Sequence, residues 1–165
     1  MIVMRHAKSS WKNPHLSDHD RPLNKRGVSD SAKMAVKLFN ETQWRPTFIY
    51  SSTAKRAHQT RDLWLQSWIK QGGAVPLKSL HSDLYFGGEG AFFSLIKRCN
   101  PTDLPMFIGH NPDVEDLLMS LTGEDLRITT ANIVALEHSA QCFEQAVRGG
   151  AWRLATLLRP RPPRG

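Results

Sequence analysis

Cysteine is nearly absent from this chain, which carries only Cys99 and Cys142. Two such residues make no disulfide framework, and neither stands in a C-x-x-C or zinc-ligand spacing. That excludes a disulfide-stapled scaffold and points to a reducing compartment with two buried thiols. No apolar run approaches the roughly 18 residues that a membrane helix needs. The opening apolar stretch, Met1–Met4, is broken by Arg5 and His6. It therefore falls short of the roughly 7–15 residues of a signal-peptide core. No five basic residues stand in a row, and no basic segment interleaves with stacking aromatics. Both absences argue against a single-strand nucleic-acid binder. Internal repeats and interior linkers are also lacking. The expectation is a cytoplasmic protein, or an organellar one if a transit segment has been removed, with no membrane partner.

What is present is positive charge. Lys and Arg number 22 against 15 Asp and Glu, a net +7 over 165 residues. Such a balance favours anionic partners: phosphorylated substrates, nucleic acid or acidic protein surfaces. The length fits one domain with an ordinary apolar fraction of 40%. The reading is a catalytic domain over 1–158, acting as a monomer, and a basic proline-rich tail over 159–165 without regular structure.

The pattern of elements alternates. Met1–Met4 reads as a strand, clipped at its start or short because it lies at an edge. Residues 7–26 form a polar loop with Pro14 and Pro22. Residues 28–43 have helical spacing. Thr47–Tyr50 is a strand, Ala54–Lys70 a helix stopped at Gly72-Gly73, and Val75–Leu80 a weaker strand. Glu89–Cys99 reads as a helix and Pro105–Ile108 as a strand. Pro112 then opens a helix through Leu121. Ile133–Leu136 and Trp152–Leu158 are late strands, joined through Gly149-Gly150. This order predicts an α/β three-layer sandwich with a mostly parallel central sheet. In such sheets ligands bind beyond the carboxyl ends of the strands. Three predicted strands run into Arg5-His6, Ser51-Ser52 and Gly109-His110, so one sheet edge collects two histidines, an arginine and hydroxyls.

Arg5-His6-Ala7 after an opening strand resembles the first signature of the histidine phosphatase superfamily, which includes the phosphoglycerate mutases. Ser51-Ser52-Thr53-Ala54-Lys55-Arg56-Ala57-His58-Gln59-Thr60 is similar to its second motif, with Thr53 where that pattern has proline. Gly109-His110-Asn111-Pro112 resembles the third, and Arg21-Pro22-Leu23-Asn24 with Gly27 resembles the family's loop-to-helix entry. Each match alone is weak; four in order are specific. The short length and the opening of the chain look most like the small phosphohistidine phosphatases of the SixA type, since an inserted mutase lid has no room here.

The resemblance implies a phosphoglycerate mutase-like fold and four site residues: Arg5, His6, Arg56 and His110. Phosphoryl transfer is mainly positioning and electrostatic stabilisation. Arg5 and Arg56 offer planar forks to phosphoryl oxygens. His6 would attack phosphorus through a neutral ring nitrogen, giving a covalent phosphohistidine that water cleaves. His110 would hydrogen-bond the oxygens, as imidazolium in one reading. The residue pattern alone leaves open which histidine attacks. No cofactor or metal is expected, because these groups supply the charge. Ser9 aligns with a phosphate-contacting serine of the mutases, Asn111 is placed to orient His110, and Lys8 and Trp11 lie beside the expected mouth. Ester cleavage also needs a proton donor. Asp83, before Leu84-Tyr85-Phe86-Gly87, is the leading candidate and Asp18 another. His15, His19, His58, His81 and His138 are read as background.

The expected substrate is protein phosphohistidine. The alternatives are a small phosphorylated metabolite such as a sugar phosphate, and a non-catalytic basic module gripping phosphorylated partners or nucleic acid.

Overall fold

The computed structural model describes residues 1–139, 142–147 and 152–161. Strands β1 (Ile2–Arg5), β2 (Phe48–Ser52), β3 (Leu77–His81), β4 (Pro105–Gly109), β5 (Ile133–His138) and β6 (Trp152–Leu158) form a six-stranded sheet in the order β3-β2-β4-β1-β5-β6. The pairs β1–β4, β2–β4 and β2–β3 are parallel, whereas β5 runs antiparallel to both β1 and β6. The sheet is thus mostly parallel, as expected. β1 lies between β4 and β5, so the expectation that its shortness marks an edge does not hold.

Helices α1 (Lys25–Glu41), α2 (Lys55–Lys70), α3 (Glu89–Ile96) and α4 (Asp113–Thr122) cover the two faces. Alternation along the strands decides which side chain meets which layer. Ile2, Met4, Met106 and Ile108 pack with Met34, Leu38, Trp64 and Trp68 of α1 and α2. Val3 and Phe107 pack with Phe92, Ile96, Leu117 and Leu121 of α3 and α4. The result is a three-layer α/β sandwich.

Some boundaries differ from the expectation, for local reasons. α1 begins three residues before Val28 because the Asn24 side chain caps it, accepting the Gly27 N–H at 2.8 Å. α3 stops at Ile96 rather than Cys99, where the chain tightens into three-residue bonds from Arg98 to Leu95 and from Cys99 to Ile96. A 3₁₀ turn at Ser82–Leu84 and a one-turn helix α5 (Phe143–Ala146) are too short to leave a periodic signal. The expected Gly149-Gly150 turn lies outside the described residues. Beyond β6, Arg159–Arg161 take no regular structure; the Lys37 Nζ donates to the Arg159 carbonyl, and Arg161 stands 3.8 Å from Asp30.

The connections create a crevice. The chain leaves β1 toward α1 on one face and β4 toward α4 on the other, although β1 and β4 are adjacent. An open sheet binds ligands at such a switch point.

Candidate active site

At the carboxyl ends of β1, β4 and β2 the register is level: Arg5 pairs with Gly109, and Ser51 with Ile108. The next residues are therefore brought side by side. The His6 N–H bonds to the Gly109 carbonyl at 2.9 Å, and the His6 and His110 rings lie 4.8 Å apart. His6, Arg56 and His110 are all buried, and Arg5 is partly so. Arg56 enters from the first turn of α2, with its Nε 3.3 Å from His6 Nε2. Thr60, one turn later, accepts the Ala7 N–H at 3.0 Å and donates to the Arg56 carbonyl at 2.6 Å, tying α2 to the loop after β1. The four motif residues form one cluster.

The contacts at His6 choose its reactive atom. His6 Nδ1 lies 2.7 Å from the Ala7 carbonyl, which can only accept, so Nδ1 carries the proton and Nε2 keeps its lone pair. Burial, the largest influence, pushes the His6 pKa down to about 3, with Arg56 and Arg5 adding to it and the Ala7 bond opposing. Burial likewise pushes His110 down to about 2, helped by His6 and Arg56. Both shifts favour neutral rings at pH 7 in the free site. His110 Nε2 is 2.8 Å from the Ser52 hydroxyl, while its Nδ1 is buried without a protein partner. Arg5 donates from Nη1 to the Ile128 carbonyl at 2.8 Å, and its buried Nε is also unpartnered. Unpaired buried polar atoms of this kind are costly in a folded chain, and two of them belong to residues of this cluster.

The Arg56 fork, expected to face phosphoryl oxygens, is engaged by Asp18 in this structure. Its Nη1 and Nη2 donate to the carbonyl and carboxylate of Asp18, at 2.6 and 2.9 Å. The same carboxylate accepts from Arg21 and from the Tyr85 hydroxyl, each at 2.8 Å. Burial, the largest single influence on Asp18, raises its pKa, but the Tyr85 bond and the two arginines together outweigh it and hold the group below the ordinary carboxylate value. Asp18 is therefore the carboxylate that touches the cluster, and it is ionised. Asp83, the leading acid from sequence, is not brought into contact: its side chain is more than half exposed and lies 3.9 Å from His81 Nδ1.

Other expected residues separate in the same way. Ser9 is buried, but its hydroxyl accepts from Arg21 Nη2 at 2.7 Å. Asn111 donates to the Ile128 carbonyl, leaving its buried Oδ1 unpartnered. Lys8 is exposed, and Trp11 is exposed beneath the Arg21 guanidinium, 3.1 Å from its ring centre. His58 pairs with Asp62 on the surface of α2.

Sequence reasoning passed over three side chains at the rim. Tyr85 and Phe86 lie 5.4 and 5.3 Å from the His110 ring. His19, read as background, bonds Thr53 Oγ1 at 3.0 Å and meets Tyr85 edge-on at 4.9 Å. Thr53 uses its N–H on the His81 carbonyl as well. The proline of the family pattern could make neither bond, so the departure at Thr53 is matched by the presence of His19. A groove of about 550 Å³ lies away from the cluster, between α1, Ser67 and Pro160. It holds none of this chemistry.

With Arg5, Arg56 and neutral imidazoles converging, the site suits an anion. Among the described residues, no group of three or more His, Cys, Asp or Glu is placed to hold a metal ion. Among them too, no helix is long and apolar enough to cross a membrane.

Comparison with known proteins agrees with this geometry. The family model of the histidine phosphatase superfamily (branch 1) matches residues 1–70. A chloroplastic protein of Arabidopsis thaliana is 31% identical over 169 residues, covering 97% of this chain and 77% of its own length. A Mycobacterium tuberculosis protein is 31% identical over 130 residues, covering 76% of this chain and 75% of its own. Among solved structures, a protein of Agrobacterium tumefaciens assigned as the phosphohistidine phosphatase SixA superposes with a TM-score of 0.80 at 28% identity over 96% of each chain. The protein histidine phosphatase SixA complexed with tungstate gives 0.78 at 22% identity, again over 96% of each. A mycobacterial glucosyl-3-phosphoglycerate phosphatase shares the fold more distantly, with a TM-score of 0.67 at 14% identity over 94% of this chain and 97% of that one. With its ordered motifs, its cluster of two arginines and two histidines, and its SixA-like fold, the chain belongs to the histidine phosphatase superfamily and is of the phosphatase type.

Proposed function

We propose that the chain is a phosphohistidine phosphatase that carries the phosphoryl group on His6. The observation that carries this reading is the protonation pattern of the cluster. A neutral His6, its unprotonated Nε2 accepting from Arg56 Nε, faces the cationic groups, while the Asp18 carboxylate in contact with Arg56 is held ionised.

In the first half-reaction the Nε2 lone pair forms a bond to phosphorus. The bond from phosphorus to the leaving group breaks, and its electron pair goes to the leaving atom. Arg5, Arg56 and His110 Nδ1 stabilise the peripheral oxygens. The forks of Arg56 become available as the phosphoryl oxygens take the place of the Asp18 carboxylate. In the second half-reaction water adds to phosphorus, its proton passes to solvent, and phosphate leaves with neutral His6 restored. Ser9 and Asn111 act through Arg21 and the Ile128 carbonyl as supports of the site rather than as phosphate ligands.

An ionised Asp18 cannot protonate a departing alkoxide, which an ester requires. An imidazole protonated on its far ring nitrogen departs as a neutral molecule and needs no carboxylic acid. That asymmetry favours phosphohistidine over sugar-phosphate esters. The free thiols Cys99 and Cys142 accord with a reducing compartment, cytoplasmic or organellar.

Phosphate release from a phosphohistidine-bearing protein and from a panel of esters tests the reading, with wild type, His6→Ala and Asp18→Asn in parallel. Wild type should clear phosphohistidine faster, and His6→Ala should reduce release to background. Asp18→Asn should keep phosphohistidine turnover within about tenfold and tighten inhibition by inorganic phosphate, because a negative charge beside the anion is removed. Preference for esters, with their turnover abolished in Asp18→Asn, would instead make Asp18 the acid of a metabolite phosphatase.

A further inference from the structure

Phe86 occupies a position that the chemistry above does not use. Its ring is half exposed, 50% by area, although it is a large apolar side chain. Its backbone is left-handed, with φ of 57°, a conformation that bulky residues rarely adopt. The segment around it is built to hold it there. Leu84 is fully buried just before it, and the Tyr85 N–H closes on the Ser82 carbonyl at 3.0 Å. A Cβ on Gly87 would lie 2.1 Å from the Asp83 carbonyl oxygen, so only glycine permits the turn that follows. Gly88, itself at φ of 73°, donates its N–H to the buried Asp113 carboxylate in the first turn of α4. The loop is therefore pinned at both ends, and one end is pinned to the helix that follows His110.

The ring this turn presents lies 5.3 Å from His110 and 4.7 Å from Tyr85. His110 in turn lies 4.8 Å from His6. Both histidines are buried and Phe86 is exposed, so the contacts from His6 to His110 to Phe86 run from the buried site to the surface. A phosphoryl group seated against the two histidines directs its leaving group outward, and Phe86 is the exposed aromatic face met past His110. A left-handed backbone at a bulky residue is costly, and such strain concentrates at functional sites; here it holds an exposed ring beside His110.

We propose that Phe86 selects the leaving group: it is a specificity-determining wall that receives a flat aromatic ring, the imidazole of a phosphorylated histidine. The inference rests on the phosphohistidine reading for the identity of that ring. A phenyl face packs against a flat ring in offset or edge-to-face contact, and it offers no hydrogen bond to the hydroxyls of a sugar.

The test compares N-phosphoimidazole with phosphoramidate, two P–N substrates that differ in whether the leaving group is a ring. Wild type, Phe86→Leu and Phe86→Tyr are measured. Leucine at this position meets the same left-handed backbone as phenylalanine, so it changes the ring more than the fold. Phe86→Leu should lower kcat/KM for N-phosphoimidazole about three- to tenfold and leave phosphoramidate within about twofold. Phe86→Tyr should keep the wild-type ratio. An equal fall on both substrates, or no fall on either, would overturn the proposal. Phenyl phosphate and methyl phosphate form a second pair with the same contrast. If wild type acts on these esters and not on the P–N pair, the phosphohistidine reading fails. A selective loss on phenyl phosphate in Phe86→Leu would still uphold Phe86 as the ring-selecting wall, and its absence would overturn that as well. A wild type inert toward all four substrates would overturn both readings.

Discussion

His6 and His110 join reactivity to stability through one physical cause. Burial, the largest cause, with the positive charge of nearby arginines adding to it, depresses their pKa values to about 3 and about 2 from an ordinary 6.5. The unfolded chain therefore binds protons that the folded chain refuses. Stability from this source is complete above pH 6.5 and is lost as the pH falls toward the folded values. Between pH 6.5 and 4.5 each histidine should remove about 2–3 kcal/mol. Urea midpoints measured across that range should fall steeply for wild type and less steeply for His6→Asn and for His110→Asn. A parallel fall in all three proteins would place the acid sensitivity elsewhere. For the same reason kcat/KM, corrected for ionisation of the substrate, should show no limb near pH 6.5, since the nucleophile of the free protein is already neutral there. The motif residues were legible in the sequence because their spacing is tied to strand ends. The partners of the cluster were not. Asp18 and His19 sit in a loop without periodicity, and their bonds to Arg56 and Thr53 cross more than thirty residues of chain. Asp83 was favoured by its place before Tyr85, yet the turn sends Tyr85 and Phe86 to the site and leaves Asp83 facing His81.

At the level of elements, α1 is the buttress of the loop that follows β1. Asn24 both caps α1 and donates its N–H to the Lys8 carbonyl at 3.0 Å. Gly27 lies so near that a Cβ there would sit 2.2 Å from the same carbonyl oxygen. The obstacle is backbone, which cannot swing aside as a side-chain tip would. Gly27→Ala should therefore cost at least ~2 kcal/mol in urea unfolding. It should also lower kcat/KM more than tenfold at temperatures where the protein stays folded, because Lys8 and Ser9 lie directly after His6-Ala7. Destabilisation with unchanged kinetics would show that the loop relaxes without disturbing His6. The alternation of strands and helices made the layers and the sheet readable from sequence. The sequence order did not reveal that β1 is interior. A strand so short owes its place to pairing on both sides, with β4 and with β5, and pairing leaves no local signature. Thr53 stands where the family pattern has a proline that would pre-set the backbone. Instead its N–H and hydroxyl fasten that approach to His81 and His19, two contacts that depend on tertiary structure.

Across the whole molecule the net charge of +7 acts on substrates before they arrive. Close along the chain to His6 and Arg56 stand Lys8, Lys12 and Lys55, all exposed, while Arg5 and Arg56 act at contact. Exposed charges are screened over a Debye length that shrinks from about 10 Å at 0.1 M salt to about 3 Å at 1 M. Attraction of an anionic substrate should weaken across that range, whereas Arg5 and Arg56, shielded from solvent, should keep their hold on a bound phosphoryl group. The two contributions can therefore be separated kinetically. Raising salt from 0.1 to 1 M should lower kcat/KM about three- to tenfold and leave kcat nearly constant. Chloride and acetate should give the same slope, since screening does not depend on which anion provides it. The double substitution Lys8→Gln with Lys12→Gln should lower kcat/KM at low salt and flatten its salt dependence. A fall in kcat that tracks kcat/KM would place the salt effect on the bound complex. A slope unchanged by the double substitution would mean that the attraction resides in the charge of the molecule as a whole, not in the lysines of the first loop.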